Sequence, residues 1–201
     1  MKIQKAFGTK KIIALVGEKN SGKSNNLTHL IENFRKHNKT TSIYAYGMPE
    51  ALINYLKKFG VKEISSLKHL IKKENCLIII DEMQKLKLND RRYKDTLQEF
   101  VDFVYHNNVW VILSSPNIRE FNSVIGGVIE RWLLKDIRID QCIRGSQLRQ
   151  VIEDYKGRYK SLGSISIDKD KLLVIDESEE MIIRCPYVEG ADTKKNLKSI
   201  F

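Results

Sequence analysis

The sequence predicts an α/β fold of three layers: a mainly parallel central sheet with helices on both faces, and a short β-rich C-terminal extension. Three observations predict it. Strand-sized segments at 11–16, 76–80 and 109–113 are apolar at almost every position, as strands buried on both faces are. Segments with helical spacing of apolar residues separate them, so consecutive strands are joined by crossovers and run parallel. A glycine-framed turn at 17–24 lies between the first such strand and the first such helix. The 201 residues, 42% hydrophobic and 30% charged, suffice for one substantial domain with a real core. We expect a single domain over 1–201, with a core over about 11–140, an α/β extension over about 141–189 and a polar tail over 190–201.

Each element has its own signal. A short basic leader precedes the strand at 11–16 and the loop at 17–24, and 25–37 then places Leu27, Leu30, Ile31 and Phe34 on one helical face. Residues 41–46 are β-branched and aromatic, hence a strand. Pro49 opens a helix carrying Ala51, Leu52, Tyr55, Leu56 and Phe59, which Gly60 closes. A short helix near 65–73 leads to the strand at 76–80. Residues 93–106 gather Leu97, Phe100, Val101, Val104 and Tyr105 on one face before the strand at 109–113. Beyond it, 117–128 reads as helical, 132–139 as strand-like and 146–155 as a short helix. The segments 164–167, 172–175 and 181–184 read as short strands, the last two forming a hairpin around 177–180. There is no internal repeat and no low-complexity linker.

Composition narrows the function classes. No apolar run is long enough to span a bilayer, and the basic N-terminus lacks the apolar stretch of a secretory signal. Cys76, Cys142 and Cys185 are odd in number and far apart. They fit neither a disulfide framework nor a zinc site, and are expected to be reduced packing residues of a cytoplasmic protein. The net charge of +10 is what a nucleic-acid partner would favour; a lysine-rich proteome would give the same excess.

The turn at 17–24 carries the chemistry. Gly17-Glu18-Lys19-Asn20-Ser21-Gly22-Lys23-Ser24 matches G-x-x-x-x-G-K-S/T in full, the phosphate loop (Walker A) of nucleoside triphosphatases. Its glycines let successive backbone N–H groups face the phosphates, and the following helix adds its positive end. Lys23 would reach the β- and γ-phosphates, Ser24 would ligate Mg²⁺, and Asn25 continues the binding segment. Such a loop needs a carboxylate at a neighbouring strand end to hold the metal shell (Walker B), and two look-alikes exist: Asp81-Glu82 after 77–80 and Asp176-Glu177 after 172–175. A helix and another buried strand follow the first, while a hairpin turn follows the second. Asp81 is therefore assigned to Mg²⁺ and Glu82 to the general base that polarises the attacking water. Asp176 and Glu177 are read as a solvated strand end. The strand at 109–113 runs into Ser114-Ser115-Pro116-Asn117, where Ser115 and Asn117 could face the γ-phosphate; a serine–proline turn ending a strand would look the same.

The Asp-Glu doublet, and the additional strand at 41–46 falling between the phosphate loop and it, resemble the motor branch of P-loop proteins that includes the AAA+, RecA-like and FtsK–HerA ATPases. The loop at 17–24, the run 77–82 and the strand ending at 113–117 together resemble the viral and plasmid genome-packaging ATPases. Small FtsK–HerA-like packaging proteins and the Zot-like ATPases of filamentous phages are the nearest likeness, including a helix with a histidine-containing end (104–108) before that strand. The stretch 113–117 resembles the coupling motif of large terminases. The resemblance covers about 11–117.

It implies ATP as substrate, Mg²⁺ as cofactor and a homo-oligomeric ring, hexamer or pentamer, around double-stranded DNA. A capsid or portal component would be a further partner, and the host cytoplasm the location of a viral chain. An arginine from one subunit would act in its neighbour's site. Arg119, Arg131, Arg138 and Arg144 are candidates, with Arg131 favoured because Glu130-Arg131-Trp132 lies at a helix-to-strand junction. For DNA, the basic stretch after Glu82 offers Lys85, Lys87, Arg91, Arg92 and Lys94 around Tyr93; as a solvated charge run it would need no partner. Two other classes stand beside the motor: an AAA+-like helicase loader or transposition ATPase acting on a protein, and a small-molecule, nucleoside-type kinase. The former should show a helical lid with a sensor arginine after 117, the latter an arginine-rich lid and no need of Glu82.

Overall fold

The computed structural model describes residues 7, 9–18, 20–70, 73–81, 94–121, 123–135, 137–138, 164–165, 170–176 and 180–188. Strand β1 (Ile12–Val16) is buried at every position, and helix α1 (Lys23–His37) follows the glycine turn. Then come β2 (Ser42–Tyr46), α2 (Glu50–Leu56) running into a 3₁₀ turn (Lys57–Phe59), β3 (Val61–Glu63), a 3₁₀ turn (Leu67–Leu70) and β4 (Cys76–Ile80). Helix α3 (Lys94–His106) leads to β5 (Trp110–Ser115), a 3₁₀ turn (Ile118–Glu120) and α4 (Ser123–Gly126). The remaining strands are β6 (Arg131–Leu134), β7 (Ile137–Arg138), β8 (Ser164–Ile165), β9 (Lys171–Ile175) and β10 (Glu180–Arg184).

Eight strands form one sheet in the order β10-β9-β6-β1-β5-β4-β2-β3. From β6 to β3 every pairing is parallel, whereas β9 is antiparallel to both β6 and β10. Strand alternation sorts the apolar residues into two layers of core. Ile13, Leu15, Leu77, Ile79 and Ile112 face Leu27, Leu30, Ile31 and Phe34 of α1 and Leu52, Ile53 and Leu56 of α2. Ile12, Ala14, Val16, Ile78, Ile80, Val111 and Leu113 face Val104, Phe100 and Val101 of α3 and Ile125 of α4. Asn25, Asn26 and Thr28 are poor helix formers, so α1 holds by packing. Its four buried apolar side chains are worth about 1.5–3 kcal/mol each, far above the few tenths that each weak former costs. Among the described residues no helix is long and apolar enough to cross a membrane.

The three layers, the parallel core and the β9–β10 hairpin match the sequence expectation; four details differ. The strand separating β1 from β4 in the sheet is β5, with β2 beyond β4, although 41–46 is what falls between them along the chain. Strand β3 was not foreseen: it has three residues, only Val61 buried, too few for a period to show. The helix expected over 117–128 is a 3₁₀ turn and one short α-helical turn, because a glycine pair at Gly126-Gly127 stops it. Lastly, β9 continues the central sheet through β6 rather than standing outside it. The short helix expected over 146–155, the tail over 190–201 and Cys142 lie outside the described residues. Cys76 and Cys185 are buried and unpaired in any disulfide, and burial pushes both thiols up to about 11.

One buried ion pair locks the junction of β6 and β9. Arg131, 4% exposed, donates Nε–H to Oδ2 of Asp176 at 3.0 Å, with Nη2 on the same oxygen. Trp132 pairs with Ile175 in the antiparallel register, so the two charged residues lie opposite each other where β6 starts and β9 ends.

Candidate phosphate-binding site

The carboxyl ends of the parallel strands are tied into one row. Gly17 N–H donates to the Ser115 carbonyl at 3.3 Å, Lys135 N–H to the Val16 carbonyl at 2.8 Å, and Asp81 N–H to the Tyr46 carbonyl at 3.0 Å. Ligands of open α/β sheets bind along this edge, and the turn 17–24 lies on it.

Within the turn, Asn20 and Gly22 have φ of 70° and 94°, the left-handed conformation that directs consecutive N–H groups inward as an anion nest. Gly17 has no room for a side chain: a Cβ there would come within 2.5 Å of the Lys135 Cβ and 2.8 Å of the Ser21 Oγ. Lys23, the first residue of α1, donates Nζ–H to the Glu18 carbonyl at 3.1 Å and also reaches the Gly17 carbonyl, spanning its own loop. Burial holds its pKa below the usual lysine range, partly offset by the carboxylates of Asp81 and Glu120. Thus a partly buried cation lies in the field of two acids, Asp81 on the far side of β5 and Glu120 in the turn after it, where a triphosphate and its metal would add and balance charge. The hydroxyl of Ser21 is buried with no hydrogen-bond partner among the described residues, a polar atom inside the loop that a ligand oxygen could satisfy. The donor set therefore fits a Mg²⁺–triphosphate, for which Ser24 in the first turn of α1 and Asp81 at the tip of β4 would be the oxygen ligands.

The turn after β5 is built differently from the expectation. Ser115 is fully buried, and its hydroxyl accepts the Asn117 N–H at 2.9 Å. The same hydroxyl is within donating distance of the Asn117 carbonyl, at 2.9 Å, and of a Glu120 carboxylate oxygen. Asn117 caps the 3₁₀ turn, its Oδ1 accepting the Arg119 N–H at 2.9 Å. Both residues are therefore engaged in shaping this turn, and together they carry Glu120 back toward Lys23. Glu120 was missed by the sequence reading, although an acid three residues after a capping Asn has the spacing of a capping box.

Asn25 and Arg131 also require correction. The Asn25 side chain is taken up by the segment after β10, donating to the Cys185 and Pro186 carbonyls at 3.2 and 3.1 Å and accepting the Val188 N–H at 2.6 Å. Only its backbone is left for phosphate. Arg131 is buried on Asp176, so its side chain cannot reach a neighbouring subunit, and Asp176 is an ion-pair partner rather than a solvated strand end. Of the other arginines, Arg119 is exposed on the turn beside Asn117, Arg138 lies in β7, and Arg144 is outside the described residues. Lys19, Glu82, Lys85, Lys87, Arg91 and Arg92 are outside them as well, and Lys94 starts α3. Lys135, buried against Gly17 with Nζ on the Lys171 carbonyl, gave no sequence signal at all.

Replacing Lys23 by alanine removes charge-assisted hydrogen bonds worth about 1.5–3 kcal/mol each. We expect ATP to bind about 10- to 100-fold more weakly to Lys23→Ala, measured by titration calorimetry.

No family model matches the chain, and no curated protein does. Solved structures do match. The genome packaging NTPase B204 of Sulfolobus turreted icosahedral virus 2, in complex with AMPPCP, superposes with a TM-score of 0.61 at 17% identity, over 90% of this chain and 100% of that one. B204, the DNA-packaging ATPase of Sulfolobus turreted icosahedral virus, gives 0.57 at 14% identity over 89% and 98%. EccC (ATPases 2 and 3) of Thermomonospora curvata, in complex with a signal sequence peptide, gives 0.61 at 11% identity, over 91% of this chain and 38% of that one. The chain thus shares its fold with these packaging NTPase and EccC ATPase structures.

Proposed function

We propose that this chain hydrolyses ATP with Mg²⁺ and uses the energy to move double-stranded DNA, as in genome packaging by a virus or mobile element. The observation that carries the proposal is Lys23, set in a left-handed glycine loop and facing Asp81 across β5. The full-length superposition on a packaging NTPase supports it. Backbone N–H groups of 17–25 hold the phosphates, and Lys23 turns from its loop carbonyls to the β- and γ-phosphate oxygens. Ser24 and Asp81 hold Mg²⁺, which when bound neutralises phosphate charge. Glu82 takes a proton from water as the water oxygen bonds to the γ-phosphorus and the bond to the β–γ bridging oxygen breaks, leaving ADP and phosphate. The Ser115–Asn117 turn, next to the loop on β5, passes the change onward. The basic stretch Lys85 to Lys94 binds DNA phosphates, and in a ring of six or five subunits Arg119 rather than Arg131 serves the neighbouring site. A capsid or portal component would anchor such a ring.

A second reading, an ATPase acting on a protein partner, is favoured by one observation: the EccC units of the same fold bind a signal sequence peptide. ATP turnover measured with and without double-stranded DNA across a salt series separates the two. Stimulation of several-fold at low salt that fades as salt rises supports the DNA motor. Turnover indifferent to DNA moves the assignment to a protein partner, and no ATP turnover under any condition overturns both.

A further inference from the structure

The segment Cys185–Val188 has no regular secondary structure, yet it is fastened to the start of α1. Asn25 makes three hydrogen bonds to it, and the His29 ring meets the Pro186 carbonyl. These bonds bracket Tyr187 on both sides, and Tyr187 itself is 61% exposed, the most exposed large hydrophobic side chain among the described residues. Asn25 is the residue after Ser24, so the backbone on either side of Tyr187 is bonded to the first turn of α1, next to the phosphate loop.

Sheet order fixes which end of a nucleotide would lie there. The acids facing Lys23 come from β4 and from the turn after β5, on one side of β1. A triphosphate therefore sets its γ end to that side, since the loop lysine binds the β- and γ-phosphates. Strands β6, β9 and β10 lie on the opposite side of β1, and Cys185–Val188 leaves β10. A nucleotide so oriented would have its nucleoside end on the side of β1 from which Cys185–Val188 comes.

We propose that Tyr187 is the stacking platform for the purine base of the bound nucleoside triphosphate, with Asn25 and His29 as the positioning residues that hold it there. It rests on the ATPase proposal above. The Cys185 and Pro186 carbonyls and the Val188 N–H are already bonded to α1, so the group the segment is left to offer with most area is the face of the Tyr187 ring. Stacking on an aromatic face tolerates any base, and ATP and GTP are accepted alike at this residue.

The test compares dissociation constants for ATP, GTP and inorganic tripolyphosphate, each with Mg²⁺, on the full chain, Tyr187→Ala and Tyr187→Phe. Tyr187→Ala should weaken ATP and GTP by about 10-fold and leave tripolyphosphate within about twofold, while Tyr187→Phe stays near the unmodified chain. Unchanged ATP binding in Tyr187→Ala overturns the base platform. An equal loss of tripolyphosphate overturns it too, because the residue would then support the phosphate loop. A chain that binds tripolyphosphate and neither nucleotide, or none of the three, overturns the ATPase reading itself, an outcome visible before any variant is made.

Discussion

Replacing Glu82 by glutamine is expected to lower kcat by about 10²–10⁴ while leaving ATP binding within a fewfold. The substitution keeps the size of the side chain and removes only its capacity to take a proton. Asp81 is fixed at the end of β4 by its N–H bond to Tyr46, and the next Cα is a single peptide unit, about 3.8 Å, further on. Glu82 is the residue that follows Asp81 in the sequence. In the proposed site the phosphate contacts come from the loop and α1, which the substitution does not touch, so Kd for ATP should hold. Single-turnover hydrolysis alongside nucleotide titration reads the two effects separately. Retained turnover in Glu82→Gln would defeat the assignment and put Glu120, the other carboxylate beside Lys23, in its place as the base.

Replacing Asp176 by asparagine is expected to destabilise the fold by about 3–5 kcal/mol, because it leaves the buried guanidinium of Arg131 without its counter-charge. The pair is almost wholly removed from water, so solvent cannot compensate. The double variant Arg131→Met with Asp176→Leu should recover most of the loss, since an apolar pair of similar volume is tolerated where a lone charge is not. Denaturant unfolding of the single and double variants measures this. ATP affinity of the folded fraction should change little in either, as the pair lies where β6 begins, a strand's length from the phosphate loop. Equal stability of Asp176→Asn and the unmodified chain would show that the pair is not desolvated as described.

Much of the fold was legible because its signals are local. Apolar runs marked β1, β4 and β5; helical spacing marked α1 and α3; the glycine pattern named the loop and Lys23. The choice of Asp81 over Asp176 was argued from what comes after each in the chain. What stayed hidden depends on contacts between distant residues. Two acid pairs end similar apolar strands, and only three-dimensional packing shows that Asp176 meets Arg131. Arg131 itself stood out only for its place at a helix-to-strand junction, which gave no sign of its partner. Glu120 reaches the site through a tight 3₁₀ turn whose residues resemble any serine–proline loop. Lys135 and the lacing of Asn25 to Cys185–Val188 join positions more than a hundred residues apart, where no window of sequence connects them.

The placement of β1 bears on how the chain is made. Its two neighbours, β5 and β6, begin about a hundred residues after it, and the segment bound by Asn25 comes 160 residues later. At about 5–20 residues per second, the ribosome takes about 5–20 s to produce the first partner strand once β1 has emerged. During that interval an apolar strand and its glycine turn wait without neighbouring strands, open to chaperones and to strand pairing with other nascent copies. The glycine turn is thus synthesised well before the two strands that flank β1.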